Sequence, residues 1–296
     1  MTKKQQQLYF GLLLLSIPMF FFWHLFSGPT ELSVISAFTD LLKGNTSTDA
    51  LILAEIRLPR ALLAICIGIS LALSGAALQG LLINPLASPD LLGVSQSGVL
   101  VAVLVLYYGL ASISWFIVPL AAMSGALIAV AFIFSLAGKY QGALTIILIG
   151  IAINAITSAM TSLALNFAPN PFALQEIYFW MLGSLSNRSS NELFFAFPFM
   201  LLGWILIFPR KHFLDAMSLG EDTALSLGFN LKKQKFLLIF GVALCTGASV
   251  AVSGNISFIG LKIVYFFADA CLIWVQITNM IQHAECLSHQ SEYTCH

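Results

Sequence analysis

The chain has 296 residues, of which 59% are apolar and only 9% charged, with thirteen basic and thirteen acidic side chains. An ordinary soluble domain carries about 25% charged residues to hydrate its surface, so this composition excludes a water-soluble enzyme or binding module. A formal net charge of zero leaves no electrostatic footprint for nucleic acid. What remains is an all-α, polytopic helical membrane protein.

The first apolar segment, residues 8–26, follows Lys3 and Lys4 and has the look of a secretory signal. It ends in Ser27-Gly28-Pro29 without a small-x-small cleavage pattern and is read as an uncleaved first span. Further spans are expected at 61–82, 91–110, 115–137, 144–166, 193–208 and 236–252, with another apolar stretch at 263–281. No charged residue falls between 61 and 89, 91 and 138, 140 and 175, or 236 and 261. A helix needs about 20 apolar residues to cross about 30 Å of hydrocarbon, and it satisfies its own backbone hydrogen bonds there. The alternation that a membrane barrel requires is absent. Three connections are long: 27–60, 168–192 and 209–235.

Basic residues set the sidedness. With the N-terminus cytoplasmic, Lys3, Lys4, Lys139, Arg210, Lys211, Lys232, Lys233 and Lys235 lie inside, while Lys43, Arg57, Arg60 and Arg188 lie outside. Small residues cluster at 70–77, including Gly75, and at 241–254, where they let helix backbones approach closely.

The span interiors hold no Asp, Glu, Lys, Arg or His, the residues that mark ion paths and proton relays. Gln79, Asn84, Gln96, Asn154 and Asn166 supply the polarity instead. This disfavours the alternative of an ion-coupled secondary transporter. Gly138-Lys139 lacks the first glycine of a P-loop, and no nucleophile elbow is present. Five cysteines show no disulfide framework, and the His283-x2-Cys286-x2-His289 spacing near the end is read as coincidence. No catalytic residue, metal or cofactor is expected, so uphill transport would need a partner to supply the work.

Two loops look built for partners. Arg57-Leu58-Pro59-Arg60 places two arginines three residues apart, either as an outer positive patch or as long side chains snorkelling at a span end. In 217–228, Glu221 and Asp222 open a short helical stretch that Gly228 stops. That stretch either lies on lipid or docks into a groove on a soluble partner.

These residues resemble the permease subunits of ABC importers for ferric siderophores, haem and vitamin B12, most nearly the iron(III) dicitrate permeases. The likeness is carried by Arg57-Leu58-Pro59-Arg60, Ser74-Gly75-Ala76-Ala77-Leu78-Gln79-Gly80 and Asn84-Pro85-Leu86-Ala87-Ser88-Pro89-Asp90. Trp180-Met181-Leu182-Gly183, Leu219-Gly220-Glu221 with Ala224 and Leu227-Gly228, and Ser253-Gly254 through Phe258-Ile259-Gly260-Leu261 continue it in order. The resemblance implies a ten-helix subunit of the bacterial inner membrane that dimerises, identically or with a paralogue, around a substrate path. It implies that Arg57 and Arg60 meet an extracytoplasmic binding protein. It further implies that Leu219, Gly220, Glu221, Ala224, Leu227 and Gly228 couple to a cytoplasmic ATPase, and that Gly75, Gln79, Asn84, Pro85, Gly254 and Gly260 serve helix packing or the pathway.

After Leu261 the family's Pro-His and further spans do not follow. All 21 Gly and all 10 Pro fall within residues 1–260, whereas the remainder holds three of the five Cys and three of the five His. The expectation is a family-like membrane domain over 1–261, with about seven or eight spans in all. Residues 262–296 are expected to be a non-family tail, such as a shifted reading frame would produce, leaving an inactive remnant as a further alternative.

Overall fold

The computed structural model describes residues 3–26, 33–44, 47–138, 142–168, 170–186 and 188–255, and every regular element among them is helical. In chain order these are α1 (Lys3–Phe26), α2 (Val34–Lys43), α3 (Thr48–Ile52), α4 (Leu58–Leu82), α5 (Val94–Tyr107) and α6 (Ile117–Ala137). There follow α7 (Ala143–Asn166), α8 (Pro171–Met181), α9 (Ser190–Ile207), α10 (Lys211–Ser218), α11 (Glu221–Ser226) and α12 (Leu231–Ser253). A wide π-helical turn, Leu53–Arg57, joins α3 to α4, so that Thr48–Leu82 is one continuous run of 35 residues.

Among the described residues five helical runs are long and apolar enough to cross a membrane: Thr48–Leu82, Ile117–Ala137, Ala143–Asn166, Ser190–Ser218 and Leu231–Ser253. Leu15–Phe26 and Val94–Tyr107 are apolar but shorter. The expected eighth span at 263–281, Gly260 and the whole of 262–296 lie outside the described residues.

The starts of these helices follow from local chemistry. The Asn170 side chain accepts from the Ala173 N–H at 2.8 Å, with Pro171 opening α8, and Asn230 accepts from the Lys233 N–H at 3.1 Å at the start of α12. Ser189 and Glu192 form a capping box on α9.

The expected span 91–110 is corrected. Helix α5 has only 14 residues, about 21 Å, because Pro89–Leu92 forms a 3-10 turn and Gly93 turns left-handed at φ 67°. A Cβ on Gly93 would stand 2.8 Å from the Asn154 backbone N, and one on Gly150 would stand 2.7 Å from the Leu92 Cα. The connection therefore sits against α7 about 10–16 Å along from that helix's first residue. Non-helical backbone at such depth is tolerated where protein covers it, and Ala87, Ser88, Pro89, Leu92 and Gly93 are all buried.

Helix α12 forms the centre, packed against α9, α6, α4 and α5. Its small residues do what their clustering suggests. A Cβ on Gly203 would stand 2.5 Å from Cys245 Sγ and 2.9 Å from the Gly241 carbonyl, and one on Gly247 would stand 2.8 Å from the Ala126 Cβ. The Trp204 indole N–H donates to Ser70 Oγ at 3.0 Å, tying α9 to α4. Between α5 and α6, a Cβ on Gly125 would collide with the Ser97 carbonyl.

Because that carbonyl belongs to a helix backbone and cannot step aside, Gly125→Ala should cost about 1–3 kcal/mol. The measurement is the thermal unfolding midpoint in detergent. Gly68→Ala, where a Cβ meets open space, should leave the midpoint unchanged.

Candidate functional site

The expected site residues fall at two places separated by the length of α4, 25 residues or about 37 Å. Arg57 and Arg60 stand at its first turn. At its last turns, Leu214 of α10 packs beside Gly80, and the 219–228 segment follows α10 directly.

At this second end the six expected coupling residues divide by what they face. Phe213, Ala216, Met217 and Ala224 are buried in one apolar cluster with Leu81 and Leu82 of α4, Ile146 of α7 and Leu238 and Ile239 of α12. Leu219, Leu225 and Leu227 point outward, 71%, 53% and 62% exposed. Gly220 and Gly228 adopt φ of 108° and 86° and so bend the chain into and out of α11. Glu221 turns inward. One of its carboxylate oxygens accepts from Lys235 Nζ at 2.8 Å and from the Ala143 N–H at 3.3 Å. Lys235 itself is 1% exposed. The sequence reading missed this partner: fourteen residues separate the pair, and no local pattern announces it.

The first end also differs from expectation. Arg57 is 5% exposed, and its guanidinium donates to the Leu25 carbonyl at 2.7 Å. The last carbonyls of a helix have no intrahelical donor and carry the negative end of its dipole, so the end of α1 draws Arg57 inward. The expected two-arginine surface patch is corrected accordingly. Arg60 is half-buried and donates to the Ser186 carbonyl. Glu55 accepts from Ser190 Oγ at 2.7 Å, and Arg188 pairs with Glu192 at 3.9 Å. The Arg60 and Glu55 contacts fasten the start of α4 and the turn before it to the start of α9, while the Arg188–Glu192 pair is local to α9.

The described members of the expected packing and pathway set lie along the bundle. Gly75 is buried within α4. The Gln79 carbonyl accepts from the Asn84 N–H at 3.2 Å, and the Asn84 side chain accepts from the Leu86 N–H at 2.9 Å, which makes the Asn-Pro turn a self-bonded unit with Pro85 exposed. Gly254 ends α12 at φ 77°, where a Cβ would collide with the Trp180 carbonyl, and the preceding Ser253 carbonyl accepts from the Ser184 N–H at 2.8 Å.

The model of the FecCD transport family matches residues 13–267. The vitamin B12 import system permease of Yersinia enterocolitica is 38% identical over 226 residues, which cover 74% of this chain and 65% of that protein. The Fe(3+)-citrate import system permease of Bacillus subtilis is 35% identical over 237 residues, 79% of this chain and 69% of that one. A solved structure described as an inward-facing conformation of a metal-chelate type ABC transporter superposes with a TM-score of 0.75 at 29% identity, covering 86% of this chain and 78% of the other. The chain spans 61–65% of the length of several curated relatives that it matches. With a bundle of this architecture and a family match over most of its length, the chain belongs to the FecCD transport family.

Proposed function

We propose that the chain is the permease subunit of an ABC importer that carries a ferric siderophore or ferric citrate-type chelate across the bacterial cytoplasmic membrane. A separate ATPase supplies the energy, and the N-terminus is cytoplasmic. The observation that carries this reading is the Glu221 end. Three leucines there, Leu225 on the short helix α11 and Leu219 and Leu227 flanking it, are held out of the protein, while Ala224 is buried and Glu221 is ion-paired. Exposed Asp215, Asp222, Lys232 and Lys233 beside them suit an aqueous partner better than a lipid surface. We assign Leu219 and Leu227 to the contact with the ATPase, Gly220 and Gly228 to shaping the segment, and Ala224 to holding it on the bundle.

At the opposite end Arg60 is the better candidate of the two arginines for an acidic residue of a substrate-binding protein. Arg57 supports it from within. The exposed Ile151, Ile156, Met160 and Leu163 of α7 are where a second permease subunit would pack beside the pathway. Gly75, Gln79, Asn84, Pro85, Gly254 and Gly260 belong to packing or to that pathway. ATP-driven movement of the 211–228 segment would then shift the bundle between outward- and inward-facing states. Iron is supported by the sequence blocks nearest the dicitrate permeases and is compatible with the likeness to a Fe(3+)-citrate permease, which stands beside a vitamin B12 permease of similar identity.

We also propose that residues 262–296 are foreign to the family. The family match runs to residue 267, six residues past the proposed boundary. Reading the downstream nucleotides in the other two frames tests this: no Pro-His and no further apolar spans there would count against it.

Leu219→Glu combined with Leu227→Glu should lower ATPase co-purification at least about tenfold, since burying an exposed leucine is worth about 1.5–3 kcal/mol. Arg60→Glu should weaken binding-protein association by about ten- to a hundredfold, as a reversed interfacial charge does, and leave ATPase association intact. Cells carrying the complete set of subunits should accumulate labelled ferric citrate or a ferric siderophore. Uptake of labelled cyanocobalamin alone would assign the chain to the other branch of its relatives.

A further inference from the structure

Lys235 is an anomaly of burial. It lies on the most enclosed helix of the bundle, at 1% exposure, among Leu238, Ile239 and the other residues of the central apolar cluster. An ammonium withdrawn from water costs several kcal/mol unless it is paired and hydrogen-bonded. Its partner is Glu221, the first residue of α11, whose side chain remains 36% exposed. The pair therefore runs from the water-facing segment into the core. The Glu221 oxygen that holds Lys235 also accepts from Ala143, the first residue of α7, whose N–H has no intrahelical partner. One carboxylate thus joins three elements: the start of α11, the start of α7 and the first turns of α12.

The apolar contacts of this region cannot do the same. Ala224, Phe213 and Met217 share one buried cluster with residues of α4, α7 and α12, and such contacts are non-directional. Charge-assisted hydrogen bonds are short, directional and about twice as strong as neutral ones.

We propose that Glu221 and Lys235 are a positioning pair that transmits displacement of the 211–228 segment to α7 and α12, in place of a direct contact between Glu221 and the ATPase. This rests on the reading of 211–228 as the ATPase-coupling segment and names how that segment grips the bundle. Leu219 and Leu227 make the contact, and Glu221 conveys it. Lys235 is held where a hydrophobic residue would pack at lower cost, because a hydrophobic residue would let the segment slip.

The test is hydrogen exchange on the permease co-purified with its ATPase, compared with and without ATP plus vanadate. In the unaltered complex, ATP plus vanadate should change exchange in 211–228 and also in the first turns of α7 and α12. With Glu221→Gln, which keeps the side chain's shape and an acceptor oxygen but removes its charge, the response of 211–228 should persist while that of α7 and α12 is lost. Lys235→Met should behave alike, and Lys235→Arg should restore the response. Persistence of the α7 and α12 response in both Glu221→Gln and Lys235→Met overturns the proposal. So does a lowered thermal midpoint with that response retained, since this marks a merely structural pair. Loss of ATPase co-purification in Glu221→Gln would return Glu221 to the contact surface and also overturn it. Failure of the unaltered 211–228 segment to gain protection on ATPase binding would remove the coupling reading itself, a distinct result.

Discussion

Backbone-to-backbone contact around α12 is the constraint on which the other features of the bundle depend. In lipid, helices gain nothing from hiding apolar surface, and they associate through close packing and interhelical hydrogen bonds. Helix α12 meets that condition on nearly every side, with Gly241 against Gly203, Gly247 against Ala126 and Cys245 beneath Gly203. Its neighbours α6 and α9 are held in place by those approaches, and each end of α12 then becomes a fixed point. Asn230 and Lys235 define one end, and Ser253 and Gly254 the other.

Several charged side chains are placed where this packing leaves a helix end to satisfy. Arg57 answers the final carbonyls of α1, Glu221 answers the first N–H of α7, and Glu192 answers the start of α9. In lipid-facing proteins such ends cannot all be left to water, so charged residues are recruited to them. Two of these, Arg57 and Glu221, look from their sequence positions like contact points for other proteins and are thereby committed, wholly or in part, to the chain itself.

This explains what was legible in the sequence. The long spans were, because the cost of charge in hydrocarbon acts residue by residue and writes itself as uncharged runs; α4, α6, α7 and α12 agree with their expected limits to within a few residues. Helices α2, α8 and α10 were not, being short and lying within connections whose mixed composition carries no span-length signal. The shortness of α5 depends on Gly93 meeting Gly150 and Asn154, over fifty residues later. Arg57 was read as outward because nothing near it in the sequence announces that α1 ends beside it. Of residues 219–228, the short helix and its framing glycines were legible, but the division into outward leucines and an inward carboxylate needed Lys235 to be seen at its side.

The continuous run Thr48–Leu82 gives the chain a structural member longer than the membrane is thick. Its 35 residues extend about 50 Å, against about 30 Å of hydrocarbon. The arginine turn and the Asn-Pro turn bound the α4 part of that run, about 37 Å of lever. A tilt of about 10° pivoted at one of these turns sweeps the other through about 6 Å, by simple proportion to that length. The wide turn at Leu53–Arg57, where the helical ladder is interrupted, is where such a lever bends first. How much of any swing arrives at Arg60, which lies on the α4 side of that bend, is governed by α4 alone; how much reaches α3 is governed by the stiffness of five residues.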